Sequence, residues 1–252
     1  MFLRRLAVAL RRQDWPTVIV EFLLVVIGVL LALQLDNWNE HRKDRALFQD
    51  YLVQLQADLG EDVEQAERRI ETATALDELA AYLVSVIEGQ AAQPIDNNRL
   101  VRAVLTAGYA NLDLVNRQTY DELISTGNLR LFPDTMLKRE VVTYYFRQEL
   151  GTQWNTLIQS VQIDYRRATR NLLSAEQFRW ARTSLWNAST DAPPMDMQRF
   201  MQQVSGDEDL LGVINAMAEI QQRIRDDSRN TAKHAHQLLE RLDQFKRDPG
   251  SG

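Results

Sequence analysis

The first hydrophobic pattern in the chain is a continuous apolar run close to its N-terminus. Residues 15–35 read WPTVIVEFLLVVIGVLLALQL, with Glu21 as the single ionisable side chain. At about 1.5 Å of rise per residue, this run forms about 32 Å of helix, enough to cross a hydrocarbon core of about 30 Å. We therefore predict one transmembrane helix over residues 15–35, with Trp15 and Trp38 as aromatic anchors at the two interfaces.

A cleaved signal peptide is the alternative interpretation of this run, because four arginines precede it. However, the run is longer than the usual apolar region of a signal peptide, which has about 7–15 residues. It also ends in Gln-Leu-Asp-Asn-Trp, without a small-x-small cleavage site. These features favour a permanent membrane anchor.

Beyond the apolar run, hydrophobic residues recur at steps of three and four, which is typical of amphipathic helices. The first such stripe extends from Phe48 to Ile87 and predicts one long helix that continues from the membrane segment. Further helices are predicted at 97–107, at 117–126 with a left-handed cap at Gly127-Asn128, at 133–173, and at 207–245.

The three long segments are similar in length, about 40 residues or near 60 Å each when helical. Joined by turns, they predict an all-α fold, with the transmembrane helix followed by an elongated antiparallel helical bundle over residues 36–247. Residues 1–14 are predicted to be a cytoplasmic basic amphipathic segment, and residues 248–252 a disordered tail. Residues 174–206 show a mixed pattern, and their clearest loop is 187–195.

Composition supports a helical fold and excludes several classes of function. The 252 residues include only 10 Gly and 6 Pro, too few for the many tight turns of an all-β fold. Cysteine is absent, which excludes disulfides, thiolate nucleophiles and Cys-based metal sites. The chain has 29 basic and 35 acidic residues. Residues 1–35 hold four of the basic and two of the acidic residues, so the rest of the chain has 25 basic and 33 acidic residues. We therefore do not expect nucleic acid as a partner.

The basic residues that flank the apolar run predict its orientation. Four arginines precede it, whereas Arg42, Lys43 and Arg45 follow it. This small difference predicts a cytoplasmic N-terminus and a periplasmic C-terminal domain, if the cell is a Gram-negative bacterium. Residues 2–12 alternate apolar and basic residues, which predicts either a short helix lying on anionic lipid or a disordered basic tail.

Glu21 is the most unusual residue of the predicted span, because an ionised carboxylate is unfavourable in lipid. Its helix face continues through Val25, Gly28, Ala32 and Leu35, and Gly28 and Ala32 form a small-xxx-small pair that lets two helices approach closely. We hypothesise a homo-oligomer in which the Glu21 side chains face each other. The alternatives are that Glu21 reaches the headgroups while Gly28 and Ala32 face lipid, or that Glu21 takes part in a proton path.

On the last predicted helix, Asp227, Thr231 and His234 share a face and interrupt an apolar stripe. They predict a buried polar network or small-ligand site, or alternatively a solvated patch. His234 and His236 are two residues apart and lie on different faces, so they do not form a zinc pair. The following aromatic residues either line a ligand pocket or pack in the core: Tyr144, Tyr145, Phe146, Trp154, Phe178, Trp180 and Trp186.

Two segments resemble a known family. Residues 21–45, EFLLVVIGVLLALQLDNWNEHRKDR, look like the hallmark of a family of uncharacterised single-span bacterial membrane proteins, filed as a domain of unknown function. Residues 119–134, TYDELISTGNLRLFPD, are similar to the other recurring block of that family. The resemblance implies a bacterial inner-membrane protein with a helical domain, and it brings no assigned activity.

Taken together, these patterns predict a single-pass membrane protein with a structural or interaction role, in contact with membrane lipid and associated with itself or with another membrane protein. No catalytic or cofactor motif is recognised, so neither an enzyme nor a cofactor is expected. One alternative is a sensor module that acts through a membrane partner, because residues 1–14 are too short for an output domain. Another is a subunit of an ion-coupled membrane complex, which rests on Glu21.

Overall fold

The computed structural model describes residues 15–111, 116–183 and 190–247, and within these ranges the regular elements are helices, with no strand. This confirms the predicted all-α class. The α-helices are α1 (Trp15–Ile87), α2 (Asn97–Thr106), α3 (Gln118–Ser125), α4 (Thr135–Thr152), α5 (Asn155–Thr169), α6 (Ala175–Thr183), α7 (Met197–Val204) and α8 (Glu208–Arg247), and a 3-10 turn occupies Asn128–Leu131. The predicted segments 1–14 and 248–252 lie outside the described residues.

Helix α1 runs without a break from the apolar run into the polar part of the chain, as its hydrophobic stripe predicts. Its N-terminal part is long and apolar enough to cross a membrane, and none of its most apolar window is buried. A core helix of a soluble protein would bury this window. The chain divides into two compact units, Met1–Val53 and Gln54–Gly252, and the candidate site described below belongs to the second.

In the second unit, α8 lies antiparallel to the C-terminal half of α1. The amide of Gln56 donates to the carboxylate of Asp243 near one end, and Arg225 pairs with Asp77 at 2.9 Å further along. Residue numbers therefore rise along α1 as they fall along α8. Small and aliphatic side chains of both helices are buried in one cluster, which includes Ala73, Met217 and Ile224.

Helix α4 also packs antiparallel to α8. Arg241 pairs with Glu140 at 3.4 Å, and further along α4 the amide of Gln148 donates to the hydroxyl of Thr231 at 3.2 Å. Helix α5 continues along α8 beyond this point. The antiparallel packing predicted from the stripes is thus present among the helices of the second unit.

The prediction of a single helix over 133–173 is wrong, because the structure divides this segment into α4 and α5. The backbone N–H of Gln153 donates to the carbonyl of Leu150, and that of Trp154 to the carbonyl of Gly151, so the spacing tightens from four residues to three. Gly151 lowers the helix propensity at this point. The ring of Trp154 lies 3.8 Å from the guanidinium of Arg223 on α8, a cation–π contact that secures the break.

The short helices begin where the sequence supplies caps. Asp96, Asp134 and Asp196 precede α2, α4 and α7, and each side chain accepts a hydrogen bond from a backbone N–H in the first turn. The predicted left-handed residue after α3 is confirmed, since Gly127 has φ +71°. Local sequence therefore determines where these helices start and stop.

Helix α5 is joined to the end of α2 by one aromatic contact. The hydroxyl of Tyr165, which is 1% exposed, donates to the carbonyl of Val104 at 2.9 Å. Its ring lies directly against Gly108, where a Cβ atom would overlap the ring carbons. Glycine is required at position 108 because only a residue without a side chain leaves room for Tyr165.

Candidate functional site

Three carboxylates on consecutive turns of α1 bind the segment that leads into α3. Asp62 Oδ1 accepts from the backbone N–H of Asn116 at 2.9 Å, and Glu61 Oε2 accepts from the side-chain amide of the same residue at 3.0 Å. Asp58 Oδ2 accepts from the backbone N–H of Thr119 at 3.2 Å. We call Asp58, Glu61 and Asp62 the acidic clamp. It satisfies backbone donors at the start of α3, where a helix favours negative charge.

Asp62 differs from its neighbours because it is only 2% exposed. Its Oδ2 accepts a hydrogen bond from the hydroxyl of Tyr144 at 2.8 Å. Burial raises the pKa of Asp62 to about 6, the hydrogen bonds from Tyr144 and Asn116 act in the opposite direction, and the charges of Asp58 and Glu61 add to the rise. The carboxyl group thus titrates close to neutral pH inside the fold.

Aromatic rings enclose this carboxyl group. Tyr145 stacks on Tyr120 with ring centroids 4.5 Å apart, and Tyr144 meets Tyr145 edge to face at 5.0 Å. The hydroxyl of Tyr145 is buried, and no hydrogen-bond partner for it occurs in the part of the chain that the structure describes. Burial, followed by the charge of Asp62, raises the pKa of both Tyr144 and Tyr145 above the usual tyrosine value. Both tyrosines therefore stay protonated, and Tyr144 acts as a donor to Asp62.

Arg117 lies beside this tyrosine cluster and contacts residues of α3 and α4. Its guanidinium pairs with Asp121 at 3.2 Å and with Glu149 at 3.3 Å, and it lies 5.6 Å from the centre of the Tyr120 ring. Partial burial works against the charge of Arg117, yet the two carboxylates outweigh it and raise its pKa. Arg117 thereby links the start of α3 to α4 beside the ring of Tyr120.

A cavity of about 370 Å³ opens between α4 and α8 next to Tyr144. Arg147 reaches into it, with its Nη1 3.1 Å from Nε2 of His234. The pKa of His234 is lowered by burial and by the charges of Arg147 and Lys233. A neutral imidazole can accept a hydrogen bond from the guanidinium at this distance, which fits the geometry.

The structure separates the three residues predicted as a polar site on α8. Thr231 and His234 both face α4, where they contact Gln148 and Arg147. Asp227 instead lies on the surface, with its carboxylate 60% exposed and 3.6 Å from Arg223. Two of the three residues therefore take part in a polar contact between helices, and nothing in the structure assigns them a ligand.

The residues proposed for membrane packing lie on an exposed helix face. Gly28 has open space where a Cβ would stand, and Ala32 is exposed, as is the interface residue Trp38 at 56%. The side chains of Glu21 and Trp15 lie outside the described residues. An ion-coupled role for Glu21 consequently stays a prediction.

The acidic clamp was not predicted, although the sequence contains a signal for it. The buried positions Leu55, Leu59 and Ala66 are separated by steps that place Asp62 on the same stripe, three residues after Leu59 and four before Ala66. A carboxylate at a core position of an amphipathic helix requires a buried partner. Periodicity identifies the position but not Tyr144 as the partner, because 82 residues separate the two.

Metal ligation is not indicated at this site, since the described residues include no group of three or more His, Asp or Glu side chains arranged to hold an ion.

A comparison of the sequence with known families matches residues 21–158 to DUF6090, a family of unknown function. This match covers more than half of the chain and includes most of the apolar part of α1, the acidic clamp and the tyrosines of α4. No curated protein and no solved structure matches the chain.

Proposed function

The chain belongs to the DUF6090 family, and because that family has no known function, we propose from the exposed face of α1 that it is a membrane-anchored helical interaction protein that associates with itself. The observation that carries this proposal is a small-residue seam, left uncovered, on a helix apolar enough to cross a membrane. We call Val25, Gly28, Ala32 and Leu35 the packing seam. Membrane lipid and a second copy of the chain are the proposed partners.

The packing seam has the features that favour helix association in lipid. Val25 and Leu35 are 65% and 61% exposed, and the space at Gly28 is empty. Apolar side chains gain little from leaving lipid for a protein surface, so association in a membrane depends on close backbone approach at small residues. Gly28 and Ala32 lie one turn apart and provide such a surface.

We also propose that the N-terminus is cytoplasmic and that the domain after residue 36 is periplasmic, in a bacterial inner membrane. Four arginines before the apolar run and three basic residues shortly after it support this orientation. The test is a fusion at Gly252 to a reporter that works only in the cytoplasm. Activity of this fusion would contradict the proposed orientation.

A second candidate function is a sensor that works through a membrane partner. The acidic clamp favours it, because Asp62 lies on the same helix as the apolar run and has a pKa raised to about 6. A change of protonation there alters the contact between α1 and the segment at Asn116. If this candidate is correct, a different membrane protein co-purifies with the chain, and its recovery depends on pH.

Disulfide crosslinking tests self-association sharply, because the chain has no cysteine of its own. One cysteine is introduced at a time in the full chain, reconstituted in lipid bilayers. Val25→Cys lies on the packing seam and is expected to crosslink into dimers upon oxidation. Leu30→Cys is the matched control, since it is 53% exposed on the opposite face of the same helix and is expected to remain monomeric.

The same preparation separates packing from mere proximity. Adding Gly28→Ile to the Val25→Cys chain blocks close approach, and we expect the crosslinked fraction to fall at least about tenfold at equal protein-to-lipid ratio. Glu21→Ala tests whether the carboxyl group contributes. Equal crosslinking at Val25 and Leu30, or crosslinking that Gly28→Ile leaves unchanged, contradicts the proposal.

A further inference from the structure

A groove in the second unit lies between the end of α2, the end of α5 and the start of α6. Its volume is about 950 Å³, at the upper end of the range for small-molecule sites. Leu76, Val104, Leu105 and Leu173 supply an aliphatic floor, and the ring of Tyr165 forms one wall. Tyr109 and Phe178, also part of the lining, are 46% and 45% exposed. The groove thus presents apolar and aromatic surface that no described part of the chain covers.

Three arginines, Arg166, Arg170 and Arg179, also line this groove, and its lining contains no acidic side chain. Arg179 donates to the backbone carbonyl of Ala175. Among the described residues, neither Arg166 nor Arg170 has a carboxylate within ion-pair distance. The chain after residue 35 carries an excess of acidic over basic residues, so a patch with only positive charge is a local exception.

Arg167, which lies next to Arg166 in sequence, differs from the groove arginines because it has an acidic partner. Arg167 follows Arg166 on α5, yet it is not part of the groove lining and pairs with Asp164 at 3.1 Å. Arg68, Arg223 and Arg229 likewise pair with acids three or four positions away on the same helix. Arg166 and Arg170 have no acidic residue three or four positions away, which leaves their guanidinium groups available to an external anion.

We propose that this groove binds an amphiphile with an anionic headgroup, either a carboxylate or a phosphate. Arg166 and Arg170 bind the headgroup, because a guanidinium presents paired N–H donors that match both groups. The apolar tail lies on the aliphatic floor and covers Tyr109 and Phe178. This inference is independent of self-association, since it uses other residues in the other compact unit.

The test uses the full chain in nanodiscs of zwitterionic phosphatidylcholine, with empty nanodiscs as the blank for partitioning into lipid. Calorimetric titration compares three probes with the same twelve-carbon chain: dodecanoate, dodecyl phosphate and the neutral monododecanoylglycerol. We expect at least one anionic probe to bind at least about tenfold more tightly than the neutral one. The tighter of the two anions distinguishes a fatty acid from a lipid phosphate as the source of the headgroup.

Two pairs of variants connect binding to the groove. The double variant Arg166→Gln with Arg170→Gln is expected to lower the affinity for the anionic probe at least about tenfold. Arg167→Gln, on the same helix, is expected to leave this affinity within about twofold of the unsubstituted chain. Ala175→Trp places an indole in the groove and is expected to abolish binding. Glu176→Trp adds the same side chain one position away, outside the groove lining, and is expected to retain it.

Three results overturn the proposal. The first is that neither anionic probe binds above the empty-nanodisc blank. The second is that the neutral probe binds as tightly as the anionic ones. The third is that the arginine double variant or Ala175→Trp, shown by circular dichroism to be folded, binds like the unsubstituted chain.

Discussion

The strongest prediction concerns the buried carboxyl group of Asp62. Replacing it with asparagine keeps the size and an acceptor for the N–H of Asn116, but removes the ionisable proton. The pKa of Asp62 is raised by burial from its ordinary value of 3.8 to about 6. A difference of about two pKa units corresponds to about 3 kcal/mol between the two protonation states. Since the side chain is 2% exposed, solvent screening reduces this value little.

The direction of the pH effect follows from the raised pKa. An acid whose pKa rises on folding holds its proton more tightly in the folded state than in the unfolded state. The stabilisation from this proton is therefore complete below about pH 3.8 and is lost as the pH rises through about 6. Above that pH, the folded protein contains an ionised carboxylate next to the charges of Asp58 and Glu61.

The assay is urea unfolding of the full chain in detergent micelles, followed by circular dichroism at several pH values between about 4 and 8. The other carboxylates titrate in both proteins, so the difference between Asp62→Asn and the unsubstituted chain isolates this one group. We expect the asparagine variant to gain up to about 3 kcal/mol of relative stability from the acid end to the alkaline end of the series. A difference that stays constant across the series would refute the reasoning.

Three further changes test neighbouring features. Tyr144→Phe removes a hydrogen bond to the ionised form of Asp62 and should therefore raise the pKa of Asp62 further. In the same urea series, the stability that depends on Asp62 should then be lost at a higher pH. Gly108→Ala places a methyl group against the Tyr165 ring and should lower the unfolding free energy by about 1–3 kcal/mol; an unchanged melting temperature would contradict the described contact. Gly212→Ala, in α8 with open space around it, should instead raise stability by about 0.5–1 kcal/mol, and a loss on thermal melting would show a hidden contact.

Periodicity predicted the helices well where one face of a long helix is buried. The bounds of α2, α3 and α8 differ from the predicted ranges by only a few residues. The stripe that starts at Phe48 correctly predicted that α1 continues from the apolar run to Ile87. In these segments each local signal, such as spacing, cap or glycine, agrees with the final fold.

The break before Trp154 was missed because the stripe continues across it. Apolar residues at Leu150, Trp154 and Leu157 keep helical spacing, so the hydrophobic pattern alone predicts one helix. The break depends on Gly151 and on a contact between Trp154 and Arg223 on α8. The second contact joins residues far apart in sequence, and no local pattern contains it.

The groove arginines were missed for a related reason. Arg166, Arg170 and Arg179 appear in the sequence as three of many arginines. Their common feature is that they line one groove, and this becomes visible only when α2, α5 and α6 are placed together. Phe178 was recognised as an aromatic residue of interest, but the pattern did not distinguish a groove from a core position.

The region shared with the DUF6090 family ends at residue 158, inside α5, whereas α8 begins fifty residues later at Glu208. Side chains of α8 such as Met217 and Ile224 cover Ala73 of α1 and Ile158. A fragment cut at the family boundary would consequently expose apolar surface that the intact chain buries. The matched segment by itself therefore lacks the helix that covers Ala73 and Ile158 in the intact chain.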